Sequence, residues 1–292
     1  MAELLQQVRV LDPNSQTDRV ADVLLDAQQI LAIEDQIEPG ADLQVTPAKG
    51  CILAPGLVDL YSHSGEPGNE TRDTLASLTA AATAGGFTRA AILPDTQPAI
   101  DHVGMLQTLA HAPTAPGHWQ FWGALTQQLQ GEQMVEYGDL AAQVVGFTDG
   151  RAIADWRLLA RILEYVQPFG KPIALLPTIP PLQQQGVVRD GPTALALGLP
   201  GDPACSETVA IAGILELVAT IGTPVHLMKI STARGVELIA QGKASGLPIT
   251  ASTTWLHLIA DVTDLSTYDP NLHLAPPFGT PDDRQALCQG VR

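Results

Sequence analysis

Cysteine is scarce in this chain. The three present, Cys51, Cys205 and Cys288, are odd in number, far apart and form no C-x-x-C pair. That excludes a disulfide framework and fits a reducing compartment, so a cytoplasmic location is expected. Basic side chains are also few, 15 Lys and Arg against 31 Asp and Glu, for a net charge of −16. Binding to a phosphate backbone needs clustered cations, so nucleic acid is not an expected partner. The N-terminus lacks a basic leader region, and no apolar run is long enough to cross a bilayer, so neither a signal peptide nor a membrane association is expected. No G-x-G-x-x-G follows the first α/β strand, which leaves a dinucleotide site unsupported. No G-x-S-x-G or S-x-x-K context surrounds Ser206, Ser231 or Thr232, so a hydroxyl nucleophile is unsupported too.

What is present is enough apolar material, 45% of 292 residues, to build one large α/β domain with a small appendage. Residues 1–50 read as a small β-sandwich layer. Val8–Leu11 is a strand, Asp22–Asp26 and Gln29–Ile33 resemble a hairpin, and Leu43–Val45 is one more short strand. From 51 to 292 the rhythm changes to short apolar runs alternating with helical segments. Strands are predicted at Gly56–Leu60, Ala90–Leu93, Gln120–Trp122, Val144–Phe147, Ile173–Leu176, Val225–Ile230 and Ile249–Ala251. Helices are predicted between them, and repeated βα units imply a parallel sheet. The expected fold is a (β/α)8 TIM barrel, incomplete by one strand. A doubly wound open sheet is the alternative. Pro177–Pro203 is Pro- and Gly-rich and too long for an ordinary connection. After strand five of a barrel it would lie at the rim or over a subunit contact.

Residues 55–68 read Pro-Gly-Leu-Val-Asp-Leu-Tyr-Ser-His-Ser-Gly-Glu-Pro-Gly. Ala84-Gly85-Gly86-Phe87-Thr88 precedes the second strand and Pro94-Asp95-Thr96-Gln97-Pro98 follows it. Phe147-Thr148-Asp149-Gly150, Leu199-Pro200-Gly201, Ile230-Ser231-Thr232 and Ala275-Pro276-Pro277 come later in the same order. From about Pro55 onward this series resembles the dihydroorotase family of the amidohydrolase superfamily. The resemblance implies a zinc enzyme in which metal-activated water attacks the ring amide of dihydroorotate, or in reverse carbamoyl aspartate is closed into the ring of pyrimidine synthesis.

The same resemblance marks what has been lost. The family's first strand ends His-x-His, and here Tyr61 takes the first position while His63 keeps the second. Gly65 stands where the family places a carboxylate-binding arginine, and Asp95 where it places an asparagine. Asp149 reads either as the strand-four ligand or as a turn residue before Gly150. Leu176 stands for the strand-five histidine and Lys229 for the strand-six histidine. His226, His102, His111, His118, His257 and His273 are not expected to be ligands. Neither a leucine nor an ammonium offers a lone pair, so zinc is expected to be lost and no catalytic residue is assigned. The chain resembles inactive dihydroorotase-like members, which act as structural or regulatory subunits. That implies aspartate carbamoyltransferase as a partner, and a homo-oligomer is a further expectation. An active enzyme with a rebuilt, metal-free site is the alternative. The family's eighth strand has no counterpart before Arg292, as expected of a fragment, a cleaved product or a chain that stops early. Lys229 is expected to point into the barrel mouth and pair with Asp149 or lie near His63.

Overall fold

The computed structural model describes all residues except Met1, Gln28, Ala41, Asp42, 111–117 and Arg292. Where the sequence suggests a boundary at 50/51, the contacts divide the chain into Met1–Val58 with Gly86–Thr88, and Asp59–Gly85 with Arg89–Arg292.

The first unit holds one sheet of β1 (Glu3–Asp12), β2 (Thr17–Leu25), β3 (Ile30–Glu34), β4 (Gln44–Pro47) and β5 (Ile52–Leu53). β2 pairs antiparallel with β1 and β3, while β4 and β5 run parallel to β1. Period-two alternation sorts its faces. Val8, Val10, Ala21 and Val23 are buried together, while Arg9 between them pairs with Asp18 at 2.7 Å on the exposed side. The expected sandwich is a single sheet among the described residues. The short strands after β3 join β1 rather than building a second layer.

The second unit carries the βα rhythm. Its parallel strands are β6 (Leu57–Ser62, beginning in the first unit), β7 (Phe87–Ile92), β8 (His118–Phe121), β9 (Ile173–Leu175), β12 (Val225–Leu227) and β13 (Ile249–Ala251). They form two ladders, β6-β7-β8 and β9-β12-β13, joined by Phe147, which bridges Gly123 on one side and Ile173 on the other. Seven strand positions thus follow chain order among the described residues, the fourth reduced to the Phe147 bridges. The expected four-residue fourth strand is shorter because the chain is pinched there. A Cβ on Gly146 would meet the Pro172 carbonyl at 2.5 Å and the Trp122 ring at 2.6 Å.

This sheet curls on itself. In a flat sheet the first and sixth positions would lie about 24 Å apart, yet the rings of Tyr61 and His226 are centred 5.7 Å apart. Such contact across the sheet is the mark of a barrel. The helices are α1 (Leu75–Ala84), α2 (Val103–Ala110), α3 (Tyr137–Leu140), α4 (Trp156–Val166), α5 (Pro180–Gln183), α6 (Pro192–Leu197), α7 (Cys205–Ile221), α8 (Ala233–Ala244), α9 (Trp255–Ile259) and α10 (Pro281–Gly290). α4 shows why they form. Asp155 caps its first turn by accepting from Arg157 and Leu158, and Leu158, Leu159, Ile162, Leu163 and Val166 make one buried stripe. Strand residues of one parity, including Ile92, Ile173, Leu175, Val225 and Leu227, pack on that stripe and on Ile211, Ile214 and Val218 of α7. The other parity, Ala91, Leu93, Trp122, Ala174 and Met228 with Tyr61 and Val145, fills the inside of the barrel.

Residues 177–203 are not the structureless connection their composition suggests. They fold into α5, β10 (Val188–Arg189), α6 and β11 (Gly201–Asp202), with β10 and β11 parallel. Two-residue strands leave no periodic trace, which is why the sequence pattern misses them.

Candidate functional site at the strand ends

The C-terminal ends of the barrel strands gather the residues singled out by sequence. Tyr61 ends the first strand inside the barrel, its ring stacked on Trp122 with centroids 5.7 Å apart at 22° and tilted against His226. Burial pushes the Tyr61 phenol well above its ordinary range, so the group stays neutral and presents no phenolate to a cation. Trp122 is itself fixed, donating from Nε1 to the Leu60 carbonyl at 2.8 Å.

His226 is held between hydroxyls of the seventh strand, with Nδ1 2.8 Å from Thr250 Oγ1 and Nε2 2.9 Å from Ser252 Oγ. Burial first, and the charge of Lys243 second, lower its pKa to about 4. It is a neutral ring on the Tyr61 side of the sheet rather than an outward-packed side chain.

His63 and Asp95 meet at the mouth, Nδ1 to Oδ2 at 2.6 Å, with the histidine half exposed. Burial raises the Asp95 pKa, but the His63 hydrogen bond and charge, with help from Arg72, outweigh it and hold the carboxyl below its ordinary range. Asp95 Oδ1 is buried with no hydrogen-bond partner. Asp95 also lines a cleft of about 630 Å³ shared with Gln97, Asp101, His102, Gln128 and Arg151.

Lys229 follows the sixth strand in a left-handed conformation, φ 53°, which turns the chain away from the alternation of His226 and Met228. Its half-buried ammonium acts on Asp95 and on His257. Burial lowers its pKa more than Asp95 raises it, and among the described residues it makes no ion pair within 4.0 Å. Of the two expected neighbours, Asp149 is not the partner, and Lys229 lies on the His63 side, acting on the Asp95 carboxylate that His63 bonds. Asp149 turns to the loop after β8, where Oδ1 accepts from the backbone of Leu125 at 2.7 Å and Thr126 at 3.0 Å, and Oδ2 accepts from the Thr126 hydroxyl. Burial raises its pKa against those bonds. Asp149 therefore ties down a loop, closer to the turn reading than to a ligand.

A lysine whose folded pKa is depressed disfavours the folded state while it is protonated, and that penalty lifts only as pH rises through the folded pKa. At pH 7 Lys229→Met is therefore expected to leave stability unchanged or raise it by up to about 1 kcal/mol, read from the urea midpoint. A loss of more than that amount would restore the pairing first expected.

Leu176 is half-buried at the end of the fifth position and carries no donor or acceptor on its side chain. Gly65 is buried, and its N–H donates to Asp73 Oδ1. Glu66, next in the chain, accepts from Leu75 at 2.8 Å and so satisfies the start of α1. His111 and the side chain of His118 lie outside the described residues. His102 is bonded to Asp101 at 2.7 Å.

Sequence reasoning missed a second polar cluster, placed between the 177–203 segment and the sixth strand end. Glu207 is almost fully buried and accepts four bonds. Ser231 donates from N at 2.9 Å and Oγ at 2.5 Å, and Thr232 from N at 3.1 Å and Oγ1 at 2.6 Å. Arg189, 3% exposed, donates from Nη2 to Ser231 Oγ at 2.7 Å and lies 3.8 Å from Asp202 Oδ2. Ser206 donates to Asp202 at 2.6 Å. Burial pushes the Glu207 carboxyl up while these donors and Arg189 pull it down. The one available signal is Arg189 itself, the first charge after seventeen uncharged positions, Pro172 to Val188.

The mouth does not fit zinc. A tight site uses at least three protein ligands. Here the strand-end donors are a neutral buried phenol, a histidine bonded to Asp95, a leucine, an ammonium and an aspartate committed to backbone N–H groups. Among the described residues no three His, Cys, Asp or Glu side chains are grouped to hold a metal ion. No described helix is long and apolar enough to cross a membrane.

Comparisons with known proteins give the family. Residues 50–151 match the family described as "Dihydro-orotase-like". A "Probable dihydroorotase-like protein" of Synechocystis sp. is 46% identical over 98% of this chain and 72% of its own length. A dihydroorotase of Thermus aquaticus is 36% identical over 99% of this chain and 69% of its own. Among solved structures, the L-hydantoinase (dihydropyrimidinase) of Arthrobacter aurescens superposes with a TM-score of 0.78 at 21% identity, over 98% of this chain. That likeness shows the shared barrel fold. This chain spans 65% of that protein's length.

Proposed function

Because this chain belongs to the dihydroorotase-like family, we propose that it is a dihydroorotase-like subunit of pyrimidine synthesis that has lost metal-dependent ring chemistry. Its role is then structural or regulatory, with aspartate carbamoyltransferase as the partner. The observation that carries the reading is a convergence. Tyr61, Leu176 and Lys229 sit at the ends of different strands of one barrel, and Gly65 follows the first of those ends. Each has lost the side-chain chemistry that the family resemblance gives its position, while the strands that carry Tyr61, Leu176 and Lys229 keep their parallel pairing. Loss spread at random would also have damaged those elements.

The test is a carbamoyl aspartate cyclisation assay on the full chain, with and without added zinc, beside a metal analysis. The expected result is no zinc-dependent turnover and no stoichiometric zinc. About one tightly held zinc per chain, or zinc-dependent ring closure, would overturn the reading. Co-elution with aspartate carbamoyltransferase tests the partner separately. The 2.6 Å bond between His63 and Asp95 favours one second reading, a rebuilt metal-free site in which that carboxylate orients the imidazole. Zinc-independent cyclisation that is abolished by His63→Gln would select it.

A further inference from the structure

Two surface patches of the barrel unit are complementary in charge, and each carries exposed apolar side chains. The outer face of α4 carries Arg157, Arg161 and Tyr165 at successive i, i+4 positions, continued by Phe169, with the exposed Glu164 beside them, for a net positive face. Arg157 and Arg161 are exposed, and Tyr165 and Phe169 are 61% and 42% exposed. In a chain with half as many basic as acidic residues, two arginines in line with two exposed aromatic rings stand out. The second patch lies on α9. Trp255 and Ile259, also i, i+4, are 67% and 61% exposed, while Leu256 and the buried His257 face inward. Exposed Asp264 and Asp269 follow on the same segment, while Asp261 is buried and paired with Arg284.

The two patches are not neighbours on one molecule. α4 packs on α7, α7 on α8, α8 on α10 and α10 on α9, so three helices separate them around the unit. A chain cannot fold one patch onto its other patch. We infer that the α9 patch of one copy docks on the α4 stripe of a second copy, giving a heterologous, head-to-tail self-association. The aromatic and isoleucine side chains supply the apolar anchors, and the arginines meet the aspartates at the rim. Two copies of the α9 patch would set aspartate against aspartate, so a two-fold contact through it is disfavoured. A contact between two different surfaces leaves one of each unused at the ends of every dimer, so growth continues to a ring or a filament. The inference stands apart from the functional reading, because it uses neither the barrel mouth nor a metal.

The experiment is sedimentation of the full chain at low salt, with two single variants, Arg161→Glu and Trp255→Ser. The wild type is expected to form species larger than a dimer, which shrink as salt is raised. Each variant alone is expected to associate about 30-fold more weakly and sediment as a monomer. An equimolar mixture of the two variants has one intact copy of each patch and is expected to give a dimer and nothing larger. Tyr165→Glu and Ile259→Lys serve as a second pair should either first variant fail to fold. A wild type that stays monomeric at low salt would overturn the inference. So would variants that assemble like the wild type, or a mixture of folded variants that stays monomeric.

Discussion

Replacing Glu207 by alanine is expected to remove about 3–5 kcal/mol of folding stability. The carboxylate fills its acceptor positions with two N–H and two hydroxyl donors from Ser231 and Thr232, all buried. Alanine strands those donors at the start of α8. It also removes a negative charge that acts on Arg189. Domains are stable by only about 5–15 kcal/mol, so the loss should be visible as a much lower urea midpoint. Glu207→Gln keeps the shape but turns an NH2 group toward donors, so it should fall between the wild type and alanine. A loss below about 1 kcal/mol for the alanine variant would show that the cluster does not carry the sixth strand end.

The second large effect is at Gly65. Restoring an arginine there looks like the obvious repair of a dihydroorotase site, and the expected result is damage instead. A Cβ at position 65 would lie 2.5 Å from the carbonyl oxygens of Asn69 and Asp73 and closer still to Asp73 Oδ1. Two of those three atoms are backbone, so the 69–73 loop must move. Gly65→Ala is expected to cost about 1–3 kcal/mol by overpacking, and Gly65→Arg at least as much, measured by urea denaturation. The arginine variant is also expected to gain no affinity for carbamoyl aspartate in calorimetry. Wild-type stability of Gly65→Arg would show that the loop yields and that the position is still open to a clamp.

These two sites show how unevenly the molecule can be read from its residues. The barrel strands were legible because their apolar runs are bounded by Gly and Pro and separated by helical stripes. Ile173–Leu175, Val225–Leu227 and Ile249–Ala251 fall within the predicted segments. The positions of Tyr61, His63 and Asp95 at one mouth were also legible, since motif order fixes which strand each one ends. The partnership of each side chain was not. The motif around Asp149 admits a ligand or a turn residue, and only its bonds to Leu125 and Thr126 decide between them. For Lys229 the motif leaves two neighbours open, Asp149 or the His63 side of the mouth, because the direction of a side chain on a left-handed residue cannot be counted from spacing. Apart from the isolated charge of Arg189, the Glu207 cluster leaves no trace in the sequence, because Arg189, Asp202, Glu207 and Ser231 are ordinary surface residues by type. Their burial is decided by the fold of 177–203.

The same cluster bears on how the chain assembles in time. Arg189 meets Ser231 across 42 positions, and Glu207 meets it across 24. At synthesis speeds of roughly 5–20 residues per second, Arg189 leaves the ribosome about 2–8 s before its partner. Through that interval a guanidinium and two carboxylates destined for the interior remain hydrated. The segment 177–203 cannot reach its final seat until the sixth strand arrives. Closure of this part of the barrel is therefore a late, long-range event, governed by loop closure rather than by local helix formation.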